Sequence, residues 1–276
     1  MTPSLQQIHD FQAVVWQNYH ESGRHDLPWR QPEPAGEFSP YKILVSELML
    51  QQTQVARVIP KFEQFMELFP TVEELANSSL AAVLTAWSGL GYNRRAKFLH
   101  QAAKMISRQF GGIFPEDLPG LTLLPGVGKN TAGAITAYAY NQPTTFIETN
   151  IRTVYFYHFM TNGEAITDAE VTELVQATLD AANPREWYWA LMDYGASLKA
   201  AGIKLNTLSK HYMRQSKFEG SKRQIRGKII KLLTFDGYNL SQLHSLVSDA
   251  RLEQVVADLL SEGLIIKKAQ RYYLSD

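Results

Sequence analysis

The sequence predicts an all-α body followed by a small module that ends in a β-hairpin. Apolar residues recur at helical spacing through almost all of the first 215 residues. Alternating apolar and polar residues, which indicate a half-buried strand, are scarce until the C-terminus. The chain of 276 residues is long enough for one to three compact units with apolar cores.

The helices of the body follow from this spacing and from their start signals. Two pairs have the arrangement of a capping box: Thr71 with Glu74, and Thr167 with Glu170. In a capping box the side chain of each residue accepts a hydrogen bond from the backbone amide of the other. The predicted helices cover residues 7–19, 41–53, 55–68, 72–77, 79–87, 93–110, 129–140, 149–159, 168–181, 185–200 and 206–215.

The composition excludes several kinds of site. The chain has no cysteine, which excludes disulfides, thiol nucleophiles and thiolate-bound zinc or iron–sulfur clusters. Its seven histidines are scattered, with no pair at a metal-binding spacing. The N-terminus lacks a basic-then-apolar leader, and no apolar run approaches the length of about 18 residues that a membrane span needs. We therefore expect a soluble, cytoplasmic protein.

Charge is unevenly distributed, although 27 basic residues balance 27 acidic ones. Between Ile203 and Lys231, nine cations face only Glu219. The turn-like "FEGS" at 218–221 divides this stretch and predicts a domain boundary there. The nine cations are Lys204, Lys210, Arg214, Lys217, Lys222, Arg223, Arg226, Lys228 and Lys231.

The residues beyond this boundary have the element order of a winged helix. The sequence "LIIKKAQRYYLS" predicts a β-hairpin with a polar tip at Lys267 to Gln270. The elements predicted before it are helices at 222–234, 240–247 and 249–262.

The third of these helices does not suit a DNA groove. Its stretch "SDARLEQVVADLLSEG" carries four acidic residues against Arg251 alone, and phosphates would repel it. We therefore expect this module to pack on the body or to bind a protein. Its plausible DNA contacts are the wing residues Lys267, Lys268 and Arg271.

The stretch "LPGVGKNTAGAI", from Leu124 to Ile135, predicts a tight glycine turn between two helices. Gly126 and Gly128 allow positive φ and close backbone approach, and the second helix begins near Lys129. Free amides at that helix start form an anion site that accepts a phosphate whatever the base sequence. An ordinary helix connection closed by glycine has the same pattern, so these residues alone leave both interpretations open.

Seven segments in a fixed order between about residues 24 and 200 together resemble the helix-hairpin-helix DNA glycosylases, in particular adenine glycosylases of the MutY type. They are "LPWR" (27–30), "PYKILVSELMLQQTQVARVIPKFEQF" (40–65), "FPTVEELA" (69–76), "WSGLGYNRRAKFLH" (87–100), "LPGVGKNTAGAI" (124–135), "ETNIRTV" (148–154) and "ALMDYGA" (190–196).

The resemblance implies a glycosylase domain over residues 1–217, made of two helical subdomains with a cleft. A six-helix barrel would cover about residues 31–140, and residues 1–30 and 141–217 would form the second subdomain. Residues 218–276 would form the winged-helix-like domain. Many relatives hold an iron–sulfur cluster with four cysteines after the position of Ala196, and this chain has none of them.

Glu47 is the candidate general acid. It lies in "ILVSELML", with apolar residues on almost every side. Burial raises the pKa of a carboxyl group, so that it keeps a proton near neutral pH and can protonate a purine ring nitrogen. A glutamate at the polar edge of an amphipathic helix would look the same in the sequence. The resemblance favours the acid, because adenine glycosylases carry theirs at this position.

A second carboxylate is implied by the resemblance at Glu148, where related glycosylases have an aspartate. That group steadies the positively charged sugar as the glycosidic bond breaks. The glutamate keeps the charge but adds a methylene, and a glutamate at a helix N-terminus favoured by the dipole is the alternative. Asn150 matches a polar helper of the family.

The resemblance also implies residues that contact DNA. Gln52 and Tyr92 lie at family positions that probe or wedge the duplex, whose unstacking costs a few kcal/mol. A half-buried core aromatic is the alternative interpretation of Tyr92. Asn130, not a lysine, aligns with the amine of strand-cleaving relatives, since Lys129 is one residue early; we therefore predict a monofunctional enzyme. The other contacts predicted from these segments are Gln51, Thr53, Arg94, Arg95, Gly126, Val127, Gly128, Lys129 and Thr131, although Arg94 and Arg95 could equally belong to a solvated helix face. Lys210 and Arg214 are predicted contacts for a different reason: the basic run from Lys204 to Arg226 would pack as a helix in place of the cluster loop and meet the DNA backbone.

The leading hypothesis is a monofunctional DNA glycosylase of base excision repair that removes a mispaired base from double-stranded DNA, most simply adenine opposite guanine or 8-oxoguanine. A mismatch glycosylase for thymine, uracil or hypoxanthine is an alternative, as is a DNA-binding protein without catalysis. No cofactor is implied; the hairpin leaves room for a structural ion that the sequence does not identify. In a prokaryote such a protein would be associated with the nucleoid.

Overall fold

The computed structural model describes residues 3–160, 167–203, 205 and 217–276. Within these residues helices dominate and strands occur only near the C-terminus, which confirms the predicted fold class. The predicted helix over 206–215 lies outside the described residues, and so do Lys210 and Arg214. None of the described helices is both long enough and apolar enough to cross a membrane.

The helices of the body agree closely with the apolar spacing. Both predicted capping boxes are confirmed, at Thr71 with Glu74 and at Thr167 with Glu170. The helices are α1 (Leu5–Ser22), α2 (Pro40–Leu50), α3 (Val55–Leu68), α4 (Val72–Asn77), α5 (Leu80–Ala86), α6 (Arg94–Gln109), α7 (Leu118–Thr122), α8 (Lys129–Tyr140), α9 (Thr149–Phe159), α10 (Asp168–Thr178) and α11 (Pro184–Ala200).

The chain divides into two compact units, and the chain passes between them more than once. The first unit comprises Met1–Ile43, Glu116–Thr122 and Val127–Arg214. In its described part, α11 packs against α1, α8 and α9. The largest side chains of its core are aromatic and fully buried: Phe146, Tyr155, Phe156, Trp187 and Tyr188.

The second unit comprises Leu44–Pro115, Leu123–Gly126 and Gln215–Asp276. In it α6 packs against α4 and α5, and its core includes the fully buried Phe65 and Trp87. The C-terminal residues belong to this unit, and β3 of the module contacts α5. The domain boundary at 217–218 remains a prediction.

The C-terminal module has the predicted winged-helix order. Its strands form one antiparallel sheet in the order β1-β3-β2, in which β3 pairs with both neighbours. The short strand β1 was not predicted, because two residues are too few to show alternation. The elements are α12 (Lys222–Leu233), β1 (Tyr238–Asn239), α13 (Leu240–Leu246), α14 (Leu252–Ser261), β2 (Ile265–Lys268) and β3 (Arg271–Leu274).

Several predicted helix ends are wrong by about three residues: α1 continues to Ser22 rather than 19, and α10 ends at Thr178 rather than 181. The helix predicted over 41–53 ends at Leu50, and Gln52 has a φ of 57°, in the left-handed region that no helix continues through. The helix predicted over 249–262 begins at Leu252. The Asp249 carboxylate accepts a hydrogen bond from the Arg251 backbone amide at 2.9 Å, and this local bond replaces a first helical turn.

Candidate active site

Glu47 lies in the last turns of α2, within the second unit. The side chains around it in sequence, Leu44, Val45, Leu48 and Met49, are all fully buried. Glu47 itself is half-buried. The helix thus carries one half-buried acid between residues that are fully buried.

The three residues after α2 form a turn that is held by Arg95. The Arg95 guanidinium donates hydrogen bonds to the carbonyl oxygens of Leu48, Met49 and Gln51 at 2.7, 2.9 and 2.6 Å. It also donates to the Thr53 hydroxyl at 3.1 Å. Carbonyl oxygens at a helix C-terminus lack hydrogen-bond donors within the helix, and here the Arg95 guanidinium group provides donors for them.

The predicted DNA contact of Arg95 is therefore wrong. Its side chain is buried, with 7% of the residue exposed, and its two terminal nitrogens donate hydrogen bonds inside the protein. Burial lowers the pKa of Arg95 to about 10, which still leaves it charged at neutral pH. Arg95 is a structural residue that fixes the turn carrying Gln51, Gln52 and Thr53. The neighbouring Arg94 is exposed, as a phosphate contact requires.

Tyr92 lies between two guanidinium groups of the second unit. Its ring centroid is 5.3 Å from Cζ of Arg95 and 5.6 Å from Cζ of Arg223. Nη1 of Arg223 donates a hydrogen bond to the Tyr92 hydroxyl at 2.6 Å. Tyr92 has a φ of 47°, an uncommon conformation for a bulky residue. The structure thus places Tyr92 and Gln52 in strained backbone conformations, which often occur at functional sites.

The two glycines of the hairpin differ in their reasons for being glycine. Gly126 has a φ of 82°, and a Cβ built on it would lie 2.8 Å from the Cβ of Phe98. It therefore needs both the left-handed conformation and the missing side chain. Gly128 has a φ of −88°, and a Cβ there would meet nothing within 4 Å. Nothing in the packing of the described residues requires glycine at 128.

The start of α8 presents an accessible helix N-terminus. Gly128 is its N-cap, without a side chain to bond the first amides, and Gly128, Lys129 and Asn130 are exposed. Free amides at a positive helix end suit an anion. The side chains of Val127 and Thr131 are buried, so among the predicted contacts these two offer DNA their backbone only.

Asn130 connects α8 to the segment that precedes Glu148. Its amide nitrogen donates to the carbonyl oxygen of Ile147 at 2.9 Å, and the Ile147 amide donates back to the Asn130 side-chain oxygen at 3.4 Å. The residue that aligns with the lysine of strand-cleaving relatives thus has a structural partner. Within the first unit, the hairpin and Glu148 are held together by these two bonds.

Glu148 is the N-cap residue of α9 and is half-buried. Burial raises the pKa of its carboxyl group, and this effect outweighs the hydrogen bond from the Thr149 amide and the positive charge of Arg152, which both lower it. Arg152 is also paired with Asp168, at 2.8 Å between Nη2 and Oδ1. A carboxylate in this position is poorly solvated and interacts strongly with a cation brought next to it.

Asn150 is half-buried in the first turn of α9, next to Gly195 of α11. A Cβ on Gly195 would lie 2.3 Å from the carbonyl oxygen of Asn150. The glycine of "DYGA" is therefore required for close contact between these two helices. The contact packs the first turn of α9, which carries Asn150 two residues after Glu148, against α11.

An ionic cluster in the first unit was missed by the sequence interpretation. Asp193 accepts two hydrogen bonds from Arg30, at 2.7 and 2.9 Å, and two from Arg24, from its backbone amide and Nε, both at 2.7 Å. Asp193 is 4% exposed and Arg30 is 7% exposed. Arg30 lies in "LPWR" and Asp193 in "ALMDYGA", which are both among the segments of the family resemblance. Neither segment by itself shows that these two residues form an ion pair.

A metal centre has no support among the side chains described. No group of three or more histidine, aspartate or glutamate residues in the described ranges is placed to hold a metal ion. The iron–sulfur cluster of many relatives does not fit this chain, since there is no cysteine in it. We assign no step to either group.

Comparisons with known proteins agree with this geometry. Residues 45–179 match the model of the HhH-GPD superfamily base excision DNA repair proteins. The chain is 32% identical over 276 residues to an adenine DNA glycosylase of Mycolicibacterium smegmatis, and this match covers 91% of the chain and 92% of that relative. An adenine DNA glycosylase of Buchnera aphidicola is 36% identical over 190 residues, which cover 67% of this chain and 52% of the relative.

Among solved structures, a thermostable thymine-DNA glycosylase has a similar fold. The two structures superpose with a TM-score of 0.60, over 75% of this chain and 97% of the other, at 21% sequence identity. At that identity the similarity supports the fold and does not identify the excised base.

Proposed function

This chain belongs to the HhH-GPD superfamily of base excision DNA repair proteins, and we propose that it is an adenine DNA glycosylase acting on double-stranded DNA. The observation that carries the proposal is Glu47, a single half-buried acid among fully buried aliphatic residues. It occurs in a chain that is 32% identical, over 91% of its length, to an adenine DNA glycosylase. The substrate would be a mispaired adenine opposite guanine or 8-oxoguanine, in the cytoplasm where such DNA is accessible.

In the proposed reaction Glu47 is the general acid. An extruded adenine is a poor leaving group as an anion, and protonation of a ring nitrogen turns it into a better one. The proton would come from the Glu47 carboxyl group. Gln51 and Gln52 lie in the turn directly after α2, the helix that carries this acid, and they would contact the opened duplex.

Glu148 would stabilise the sugar as the glycosidic bond breaks. The sugar carbon develops positive charge, and a poorly solvated carboxylate stabilises that charge more than water does. Water then adds to the cation, so the products are free adenine and an abasic site. The anion site at the start of α8 would bind a phosphate and position the strand.

The test of this proposal is an excision assay on a panel of duplexes. Each duplex carries adenine, thymine, uracil or hypoxanthine opposite guanine or 8-oxoguanine, and alkali-labile abasic product is measured under single-turnover conditions. We expect adenine to be released fastest, and Glu47→Gln to lose at least about 10²-fold in rate, as for loss of a general acid. Glu67→Gln, an exposed glutamate of α3, is the matched control and should keep the rate.

Other outcomes of this assay point elsewhere. Faster release of thymine, uracil or hypoxanthine would assign the enzyme to a different base. Duplex binding without any abasic product would indicate a protein without catalysis. We propose that hydrolysis uses side chains alone, so EDTA should leave the rate unchanged; loss of activity that added metal restores would contradict this.

We also propose that the enzyme does not cut the strand. Strand cleavage requires an amine that forms a Schiff base with the sugar, and Asn130 occupies that aligned position with bonds to Ile147. Incubation of enzyme and substrate duplex with borohydride should give no covalent protein–DNA adduct while adenine is released. A trapped adduct that disappears in Lys129→Gln would show that the neighbouring lysine acts as the amine.

A further inference from the structure

Helix α12 of the C-terminal module forms one wall of a cavity of about 440 Å³ within the second unit. The other wall consists of the turn after α2 and the start of α6. The cavity is of ordinary size for a small-ligand site. Its lining includes Gln52, Tyr92 and Arg94 on one side and Arg223, Arg226 and Gly227 on the other.

The two walls are held in place by interactions around Glu262. Its carboxylate accepts hydrogen bonds from Arg226 of α12, one of them at 3.0 Å, and its backbone carbonyl accepts one from the Lys97 ammonium group of α6. Arg226 and Glu262 are both partly buried, which reduces screening of the pair by salt. The cavity is thus bounded by elements that are tied to each other before any ligand binds.

Among the described residues, nothing in the packing around Gly227 requires a glycine. It lies inside α12, where glycine destabilises a helix by about 1 kcal/mol relative to alanine. Its φ is not positive, and a Cβ on it would meet nothing within 4 Å. A glycine on the wall of a cavity, which neither its backbone conformation nor the packing of the described residues explains, is suited to the close approach of a ligand to the backbone.

The other side chains of the cavity indicate what approaches. Arg223 and Arg94 bring guanidinium groups, which pair with phosphate by two parallel hydrogen bonds. Tyr92 brings an aromatic ring on which a base stacks, and Gln52 brings an amide that bonds base edges. Arg223 donates to the Tyr92 hydroxyl at 2.6 Å, so the module also fixes the position of that ring.

From these observations we infer that α12 is a DNA-binding element and that the cavity holds one nucleotide of the bound duplex, with Arg223 directed to its phosphate and Gly227 leaving room for its sugar. This rests on the proposed function only in so far as DNA is the partner. It explains why α12 carries five cations and no acid, whereas the third helix of the module is acidic. The module would then bind DNA through its first helix.

The test compares two substitutions at Gly227. Gly227→Ala adds one methyl group on the wall of the cavity; it should raise thermal stability and lower duplex affinity severalfold, because the methyl group would take room proposed for the sugar. Gly227→Trp places a much larger side chain on the same wall, and we expect its affinity for a mismatched duplex to fall by about tenfold or more. Affinity is measured by fluorescence anisotropy, and folding by thermal denaturation.

A second pair of variants keeps the inference testable if the tryptophan perturbs folding. Arg223→Gln should weaken duplex binding and reduce the slope of log affinity against log salt by about 1, the value for one lost phosphate contact. Lys231→Gln removes an exposed cation of the same helix that does not line the cavity, and should leave both quantities near wild type. Wild-type affinity and salt slope in Gly227→Trp, or in Arg223→Gln, would overturn the inference.

These measurements are independent of catalysis. If the wild type releases no base, but Gly227→Trp still weakens duplex binding, the proposed function fails and the DNA-binding cavity stands. If the wild type excises adenine and both cavity variants bind and excise as it does, the proposed function stands and the cavity is not a DNA site.

Discussion

Glu148 shows how a single residue combines a chemical task with a cost to folding. Half-buried at the N-cap of α9, it has a pKa raised by burial, despite the opposing effects of the Thr149 amide and Arg152. The additional methylene relative to aspartate places its carboxylate further from the backbone. Folding therefore disfavours the charged form of this group relative to the unfolded chain, while the proposed chemistry needs it charged.

Replacing Glu148 by glutamine should separate these two effects. We expect Glu148→Gln to slow adenine excision by about 10²- to 10³-fold, the usual cost of losing one preorganised stabilising group. At neutral pH we expect the variant to be at least as resistant to urea as the wild type, because glutamine has no charge to bury. Excision rates and urea denaturation curves, measured at several pH values, test both statements.

The pH dependence has a definite sign. Because the folded state binds its proton more tightly than the unfolded state, Glu148 destabilises the wild type increasingly as pH rises above its ordinary pKa of 4.5 and through the raised pKa of the folded protein. The stability difference between wild type and Glu148→Gln should vanish at lower pH. Glu173→Gln, an exposed glutamate of α10, is the control; the same pH slope in it and in Glu148→Gln would contradict the assignment.

At the scale of elements, the glycine hairpin between α7 and α8 combines a structural and a functional glycine. Gly126 satisfies a left-handed turn and the close approach of Phe98. Gly128 satisfies neither requirement, and it leaves the first amides of α8 without a capping side chain. Glycine is thus present at these two positions for different reasons, and both positions lie directly before α8, whose start is the candidate phosphate site.

Substitutions at the two glycines should therefore have opposite consequences. Gly126→Ala should lower the free energy of unfolding by at least about 1–2 kcal/mol, the cost of a left-handed alanine, with the contact to Phe98 adding to it. Gly128→Ser should leave stability unchanged or raise it by a few tenths of a kcal/mol, because serine is a good N-cap. The serine oxygen would occupy the free amides, so duplex affinity should fall severalfold.

Urea denaturation and anisotropy titrations on a mismatched duplex measure the two quantities separately. Each variant serves as the control for the other, since one changes the fold and the other the binding. Wild-type duplex affinity in Gly128→Ser would show that the amides at the start of α8 do not bind phosphate.

At the scale of the whole molecule, the net charge is zero, but the charged residues are unevenly distributed along the chain. The zero net charge gives no general attraction to DNA, so binding must come from local groups such as those of α12 and the start of α8. Other charges serve the fold. Asp193 binds Arg24 and Arg30, and so joins the N-terminal segment to α11 across more than 160 residues of sequence.

Removing the Asp193 carboxylate should strongly lower the free energy of unfolding. Asp193→Asn leaves Arg30 buried without its counter-charge, which costs about 3–5 kcal/mol of stability in comparable buried pairs. Asp26→Asn, an exposed aspartate of the same N-terminal segment, should change stability little. Urea denaturation at neutral pH tests this, and equal midpoints for the two variants would contradict it.

Acid should have the same effect on the wild type. Burial by itself would raise the pKa of Asp193, but the hydrogen bonds and charges of Arg30 and Arg24 outweigh it and lower the pKa below its ordinary value of 3.8. The cluster therefore stabilises the fold fully above that value, and this contribution is lost as pH falls through the lowered pKa. Asp193→Asn should lack this acid-dependent loss.

The sequence by itself determined the helices, the capping boxes, the winged-helix order and the family resemblance, because these depend on local spacing and on short contiguous motifs. It also isolated Glu47 as a lone acid among aliphatic residues. It assigned Arg95 to DNA, however, because exposure cannot be read from residue type. Only the tertiary structure decided that Arg95 holds the turn after α2, that Arg30 meets Asp193, and that α12 lies beside Tyr92. Each of these depends on which distant residues share a neighbourhood after folding, and long-range packing specifies this where local pattern does not.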